Sequence, residues 1–207
     1  MRKEFLSYRQ VRNNAILLAH RIYLSGFVPD VIYVLLRGGA YLGNVISEYF
    51  KLVKRDERPI YYAAVVARSY VNIHVQEQVK VDGWTYDPEY LRQGDRILFI
   101  DDIFDTGRTI NHLVDIVLRY GIPRSDIKIA VHDYKIREYA DTALPVQPDF
   151  YCRKHIISSA DEDFWIHYSS HELVGLMEEE RIEHYYDEDD NIKESLEFLY
   201  SSHYEKM

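Results

Sequence analysis

Asp101, Asp102 and Asp105 crowd into one short stretch, and Thr106, Gly107, Arg108 and Thr109 follow at once. An apolar run, Ile97-Leu98-Phe99-Ile100, leads into them, and an amphipathic helical pattern starts directly after. A strand that ends in a turn and then a helix is the usual ligand edge of an open α/β sheet. The first turn of a helix offers unpaired N–H groups and a positive dipole end, which suit a phosphate. Gly107 lets the backbone close round an anion, and the threonine hydroxyls add donors. Carboxylates beside a phosphate repel it unless they have another task. They can accept hydrogen bonds from sugar hydroxyls, bind Mg²⁺ or take a proton. The stretch lacks Gly-Lys-Ser/Thr, so it is no P-loop, and its single glycine excludes a dinucleotide fingerprint.

The elements around these residues alternate. Ser7 to Gln10 reads as a capping box, with Leu6 and Val11 placed for a hydrophobic staple. Val11, Ala15, Leu18, Ala19 and Ile22 keep helical spacing until Gly26. Strands are expected at Val31–Leu36, Ile60–Ala67, Arg96–Asp101 and Ile127–His132. Helices are expected at about Ala40–Phe50 and Arg108–Tyr120, the latter closed by Gly121-Ile122-Pro123. This order predicts an α/β fold with a mostly parallel twisted sheet between helices.

The chain has 207 residues, 47% of them hydrophobic, and a net charge of −9. That is enough for one sizeable core and argues against disorder. The acidic balance disfavours nucleic acid as a partner. The longest apolar runs, such as Val31–Leu36, are too short to span a bilayer, so no membrane partner is expected. Arg2 and Lys3 are followed by Glu4 and no apolar core, so no signal peptide is read. The single cysteine, Cys152, forbids an intrachain disulfide and fits a reducing cytoplasm, where it reads as a small packed hydrophobe. The nine histidines form no convincing zinc array.

The stretch Arg96–Ile110 resembles the phosphoribosyl diphosphate (PRPP) signature of the type I phosphoribosyltransferases. That signature is a hydrophobic strand, two acidic residues, two apolar ones, Asp or Thr, Thr-Gly, a variable residue and Thr. Further segments match in order. Leu35-Leu36-Arg37-Gly38-Gly39 resembles the pyrophosphate loop of the purine enzymes, whose cis peptide would fall between Leu36 and Arg37. Arg68-Ser69-Tyr70 is similar to the tip of their mobile flap, with Val71–Tyr86 as the lid. Ile127–Lys135 resembles the strand that ends in a lysine reading the purine 6-oxo group. Pro148–Tyr151 and Asp163–Ile166 are similar to the family's hood, with Trp165 stacking on the base and Ile166 presenting backbone to its 2-position.

The resemblance implies the type I fold with a small hood and a mobile flap. It implies a phosphoribosyltransferase domain over 1–177, leaving 178–207 as an acidic, partly helical extension. It implies transfer of ribose 5-phosphate from PRPP to hypoxanthine, guanine or xanthine, as in purine salvage. Asp105 would be the catalytic proton carrier. Asp101, Asp102, Asp105, Thr106, Gly107, Arg108 and Thr109 would hold the ribose 5-phosphate. Leu36, Arg37 and Gly38 would hold pyrophosphate, Ser69 and Tyr70 the flap, and Lys135, Trp165 and Ile166 the purine. Mg²⁺ would be the cofactor, with Asp101, Asp102 and Glu172 as candidate ligands. The partners would be PRPP, a purine base and further copies of the chain in a homodimer or homotetramer. Two alternatives stay open: a PRPP-binding regulator with the same fold, and a phosphoribosyltransferase for another base.

Overall fold

The computed structural model describes residues 2–53, 58–72, 75–140, 144–186 and 189–203, without the side chains of 68–72, 75–78 and 203. The chain divides into a larger unit, Val11–Asp163, and a smaller one made of Met1–Gln10 and Phe164–Met207.

The larger unit is built on six strands. They are β2 (Val31–Leu36), β3 (Tyr61–Asn72), β4 (Val75–Trp84), β5 (Ile97–Phe104), β6 (Ile127–Arg137) and β7 (Phe150–Ile157), numbered after β1 (Arg2–Leu6) of the smaller unit. Their order is β4-β3-β2-β5-β6-β7. Only β3 and β4 pair antiparallel, as a hairpin; every other pair in this sheet is parallel. Three longer helices flank it: α1 (Tyr8–Leu24), α2 (Ala40–Val53) and α3 (Arg108–Arg119).

The apolar run of β5 is fully buried, as a strand covered on both faces must be. Ile97 and Phe99 pack with Tyr33, Val131, Leu113, Val114 and Val117, under α3. Leu98 and Ile100 pack with Ile32, Val34, Ala15, Leu18, Leu42 and Ile46, under α1 and α2. The chain moves outward from β2 to β3 in one direction and from β5 to β7 in the other. The topological switch therefore lies between β2 and β5, where open α/β sheets place their ligands.

Beyond its apolar half, β6 is held by a buried polar knot. Asp133 is fully buried; it accepts from Arg153 Nε at 2.7 Å, and its oxygens lie 2.6 Å from nitrogens of His132 and His155. Paired and hydrogen-bonded, the buried charge is compensated and pins β6 to β7. Cys152 is packed as expected, its thiol pushed up to about 12 by burial.

In the smaller unit β1 lies parallel to β8 (Phe164–Tyr168), Arg2 opposite Phe164 and Leu6 opposite Tyr168. Ser7 N donates to Gln10 Oε1 at 2.9 Å and Gln10 N to Ser7 Oγ at 3.3 Å, so the capping box forms. A short α4 (Glu178–Arg181), a π turn (Ile182–Tyr186) and α5 (Asp190–His203) complete it. Leu176, Tyr185, Tyr186, Leu196 and Tyr200 form its core, with Phe5 packed against them. The boundary expected at 177/178 lies inside this unit. Among the described residues no helix is long and apolar enough to cross a membrane.

Candidate active site

The end of β5 delivers the acidic turn into the crevice. Gly107 sits at the N-cap of α3 with φ +73°, and no side chain caps the helix. The first N–H groups of α3 are thus left to a ligand or solvent. A Cβ on Gly107 would lie 2.1 Å from the ring of Phe104, which is itself buried. Glycine is required here by both the left-handed backbone and the ring beneath it. Asn111, one turn into α3, donates from Nδ2 to Gly107 O at 3.0 Å and to Val146 O at 2.9 Å. It also accepts from Val146 N at 3.0 Å, so a fully satisfied buried amide ties the turn to the next loop. Thr106 is exposed, and Arg108 and Thr109 are half-buried.

Asp101 and Asp102 stand side by side where β5 leaves the core. Asp102 N donates to Asp101 Oδ1 at 3.0 Å, and Ile103 N to Asp102 Oδ1 at 2.9 Å. Burial first, and the neighbouring Asp102 charge second, push the Asp101 carboxyl well above the usual carboxylate range. The neighbouring strand β2 brings Leu36-Arg37-Gly38-Gly39 to the same edge, with a cis peptide between Leu36 and Arg37. A Cβ on Gly38 would fall 2.3 Å from the Asp102 carboxylate, and one on Gly39 2.7 Å from Ile100 O. Only glycines let the two loops approach so closely. Leu36 and Arg37 are exposed, and Arg37 makes no ion pair among the described residues.

The other wall is made by the far end of β6. The strand was expected to stop near His132 but continues to Arg137. Its polar tail lacks the apolar signal yet keeps its ladder to β7. A cavity of about 250 Å³ opens there, bordered by Phe104, Asp105, Thr106, Tyr134, Lys135 and Arg137. Lys135 is buried, 6% exposed. Its Nζ donates to Asp163 Oδ1 at 3.0 Å and lies 4.0 Å from Asp105 Oδ1. Arg137 spans both carboxylates: Nη2 donates to Asp105 Oδ1 at 2.6 Å, Nη1 to Asp105 O at 3.2 Å and Nε to Asp163 Oδ2 at 2.7 Å. Tyr139 OH adds a bond to Asp163 Oδ2 at 3.2 Å. Burial disfavours the Arg137 charge, but the bonds to Asp163 and Asp105 outweigh it and raise its pKa.

The structure thus brings together Leu36, Arg37, Gly38, Asp101, Asp102, Asp105, Thr106, Gly107, Arg108, Thr109 and Lys135 along one sheet edge of the larger unit. Sequence reasoning overlooked Arg137 and Asn111, and it quoted Asp163 only as the start of the hood segment, with no role. Lys135 and Arg137 are two residues apart on one strand and so share a face, which was the available signal. Ser69 and Tyr70 lie on β3, but their side chains fall outside the described residues. Trp165 and Ile166 lie on β8 of the smaller unit, Trp165 half-exposed and Ile166 buried. There Glu172 Oε2 accepts from Trp165 Nε1 at 3.0 Å and pairs with His167 Nδ1 at 3.3 Å.

Comparison with known proteins fits this geometry. The phosphoribosyl transferase domain model matches residues 2–161. No curated protein matches the chain. Among solved structures, a purine phosphoribosyltransferase from Pyrococcus horikoshii is 22% identical, with TM-score 0.63, over 86% of this chain and 99% of that one. A hypothetical protein from Neisseria gonorrhoeae with bound ppGpp is 19% identical, with TM-score 0.62, over 94% and 97%. The Helicobacter pylori xanthine-guanine-hypoxanthine phosphoribosyltransferase is 14% identical, with TM-score 0.52, over 80% and 90%. These likenesses are of fold. The family match spans most of the chain, and with a glycine-built cradle at the switch point of a parallel sheet it identifies the chain as a member of the phosphoribosyl transferase domain family.

Proposed function

We propose that this phosphoribosyltransferase acts on a 6-oxopurine: hypoxanthine, guanine or xanthine. The observation that carries the reading is Lys135, a buried cation beside Asp105 in a cavity that adjoins the phosphate cradle. An ammonium donates to a carbonyl oxygen and finds no acceptor in an exocyclic amine, so it favours a 6-oxo group over adenine.

The residues take the following tasks. The α3 amides with Thr106 and Thr109 grip the 5-phosphate, and Arg108 adds charge at the rim. Leu36-Arg37-Gly38 offers amides and one guanidinium to pyrophosphate. Asp101 and Asp102 accept from the ribose hydroxyls. The donor set also suits a hard divalent cation: burial first and the neighbouring Asp102 charge second raise the Asp101 pKa, and such an ion offsets both by supplying positive charge to the paired carboxylates. Mg²⁺, when bound, neutralises charge on the departing pyrophosphate. Asp105 accepts the N7 proton of the base as N9 bonds to C1′ and the C1′–oxygen bond to pyrophosphate breaks. Trp165 stacks on the base, Ile166 meets its 2-position, and Glu172 is the further candidate for the cation. The β3–β4 hairpin carrying Ser69 and Tyr70 closes as a flap and excludes water from an oxocarbenium-like state.

A purine-salvage role in the cytoplasm and a homodimer or homotetramer belong to the same reading. Pyrophosphate release from PRPP, measured with each purine and with orotate in turn and with and without Mg²⁺, tests it. Turnover with hypoxanthine, guanine or xanthine, and little with adenine or orotate, is expected. Tight PRPP binding without turnover of any base would instead make the chain a PRPP-sensing regulator. Turnover of adenine or orotate at the same rate would end the 6-oxopurine assignment.

A further inference from the structure

We propose that Arg137 is a positioning residue, which fixes the Asp105 carboxylate for the proton step and ties it to the base-reading Lys135 through Asp163. The inference rests on the 6-oxopurine reading and adds a part to it. Asp105 is 44% exposed and stands on a turn, where a carboxylate samples several rotamers. Arg137 removes that freedom. Its guanidinium holds the Asp105 side chain through Oδ1 at 2.6 Å and its backbone through O at 3.2 Å. The opposite edge is anchored on Asp163 at 2.7 Å. Asp163 in turn takes Lys135 at 3.0 Å. The planar fork thus spends Oδ1 on the protein and leaves Oδ2 to face a base. Lysine cannot copy this, because one ammonium does not span two carboxylates in a fixed plane. The group that reads the 6-oxo oxygen and the group that takes the N7 proton are then set at one spacing by a shared carboxylate and a shared guanidinium.

The experiment compares wild type with Arg137→Gln and Arg137→Lys in steady-state turnover on hypoxanthine and on 8-azahypoxanthine, whose imidazole-side N–H is more acidic. Misplacing a proton acceptor lowers kcat while PRPP binding stays. Arg137→Gln is expected to lose about 10- to 100-fold in kcat on hypoxanthine with a nearly unchanged KM for PRPP. Arg137→Lys recovers part of that loss. The loss shrinks on 8-azahypoxanthine, because a more acidic N–H leans less on its acceptor. An equal loss on both bases, or none on either, overturns the positioning role. If Arg137→Gln does not fold, the same comparison of bases with Arg137→Lys decides. A wild-type protein that uses no 6-oxopurine overturns the underlying reading and this one with it, whereas normal wild-type turnover with indifferent variants overturns only this one.

Discussion

At the floor of the crevice Asp101 and Asp102 stand together, and Asp101 meets no cation among the described residues. At the wall Asp105 and Asp163 are both bound by Arg137, and Lys135 lies on Asp163 at 3.0 Å. The floor is made of contiguous residues and backbone amides. The wall is made of side chains drawn from the turn after β5, from β6 and from the loop before β8. On the proposed function the difference separates two kinds of recognition. Phosphate and metal need charge left open for them, and a local turn supplies it at a cost in repulsion. A base needs donors and acceptors at fixed spacing, and ion pairing within the protein supplies the stiffness.

The largest expected effect breaks the floor. Gly107→Val places a Cβ into the Phe104 ring, 2.1 Å away, and demands φ +73° of a β-branched residue. Titration calorimetry should find affinity for PRPP and for the nucleotide product below detection. The backbone strain costs of order 1–3 kcal/mol and crowding of the Phe104 ring about 1–3 kcal/mol more, within the stability of an ordinary domain of about 5–15 kcal/mol, and a melting curve of the variant checks that it is folded. Unchanged nucleotide affinity would show that the turn is not the phosphate cradle.

Next in size is a change that spares the floor. Asp105→Asn keeps the shape of the turn and removes the proton acceptor. Single-turnover kinetics should show the chemical step slowed by ~10²-fold or more, the usual scale of general acid–base catalysis. The Kd for PRPP should move far less. Near-normal turnover on hypoxanthine would take the proton step away from this residue.

Lys135→Ala tests the wall alone. It takes the Lys135 ammonium from Asp163 and leaves Arg137 in place. The kcat/KM for hypoxanthine and guanine should fall by about 10- to 100-fold, the scale of a lost charged hydrogen bond. Adenine has no carbonyl to lose there, so the margin over adenine should narrow. Equal losses for all three bases would make Lys135 a packing residue.

The floor was legible in the sequence for the same reason that it is local. The spacing of Asp101, Asp102 and Gly107 alone puts them together where a strand gives way to a helix, and β2 occupies the expected span, Val31–Leu36. The cis bond between Leu36 and Arg37, implied by the resemblance of the Arg-Gly-Gly loop, is present. The wall was only half legible. Lys135 was singled out, but Arg137 and Asp163 are 26 residues apart and meet only after β6 and β7 pair. The end of β6 was misjudged because hydrophobic pattern stops at His132 while backbone pairing continues to Arg137. The pairing of β1 with β8 leaves little signal in the sequence either. Arg2 to Leu6 is a short polar-apolar mixture, and its partner strand lies at the other end of the chain.

The smallest effect probes the difference between floor and wall as stability rather than turnover. The folded-state pKa of Asp101 is raised above its ordinary value of 3.8, so the folded chain prefers this carboxyl protonated. Below that ordinary value both states are protonated and no penalty arises. As pH rises towards and through the raised value, the folded state bears desolvation and repulsion that the unfolded chain escapes. At pH 7 the penalty is in force, and Asp101→Asn removes the charge that causes it. The variant should melt higher than wild type at pH 7; each kcal/mol recovered is worth roughly 2–4 °C in a chain of this size. The gain should fade as the pH falls towards 4. Asp163→Asn should do the reverse at pH 7, because it strips Lys135 and Arg137 of a shared counter-ion and leaves largely buried positive charge less well compensated. Differential scanning calorimetry of both variants at the two pH values reads the comparison directly. If both variants melt lower than wild type at pH 7, Asp101 is paired as well as Asp163, and the floor holds no charge in reserve for a cation.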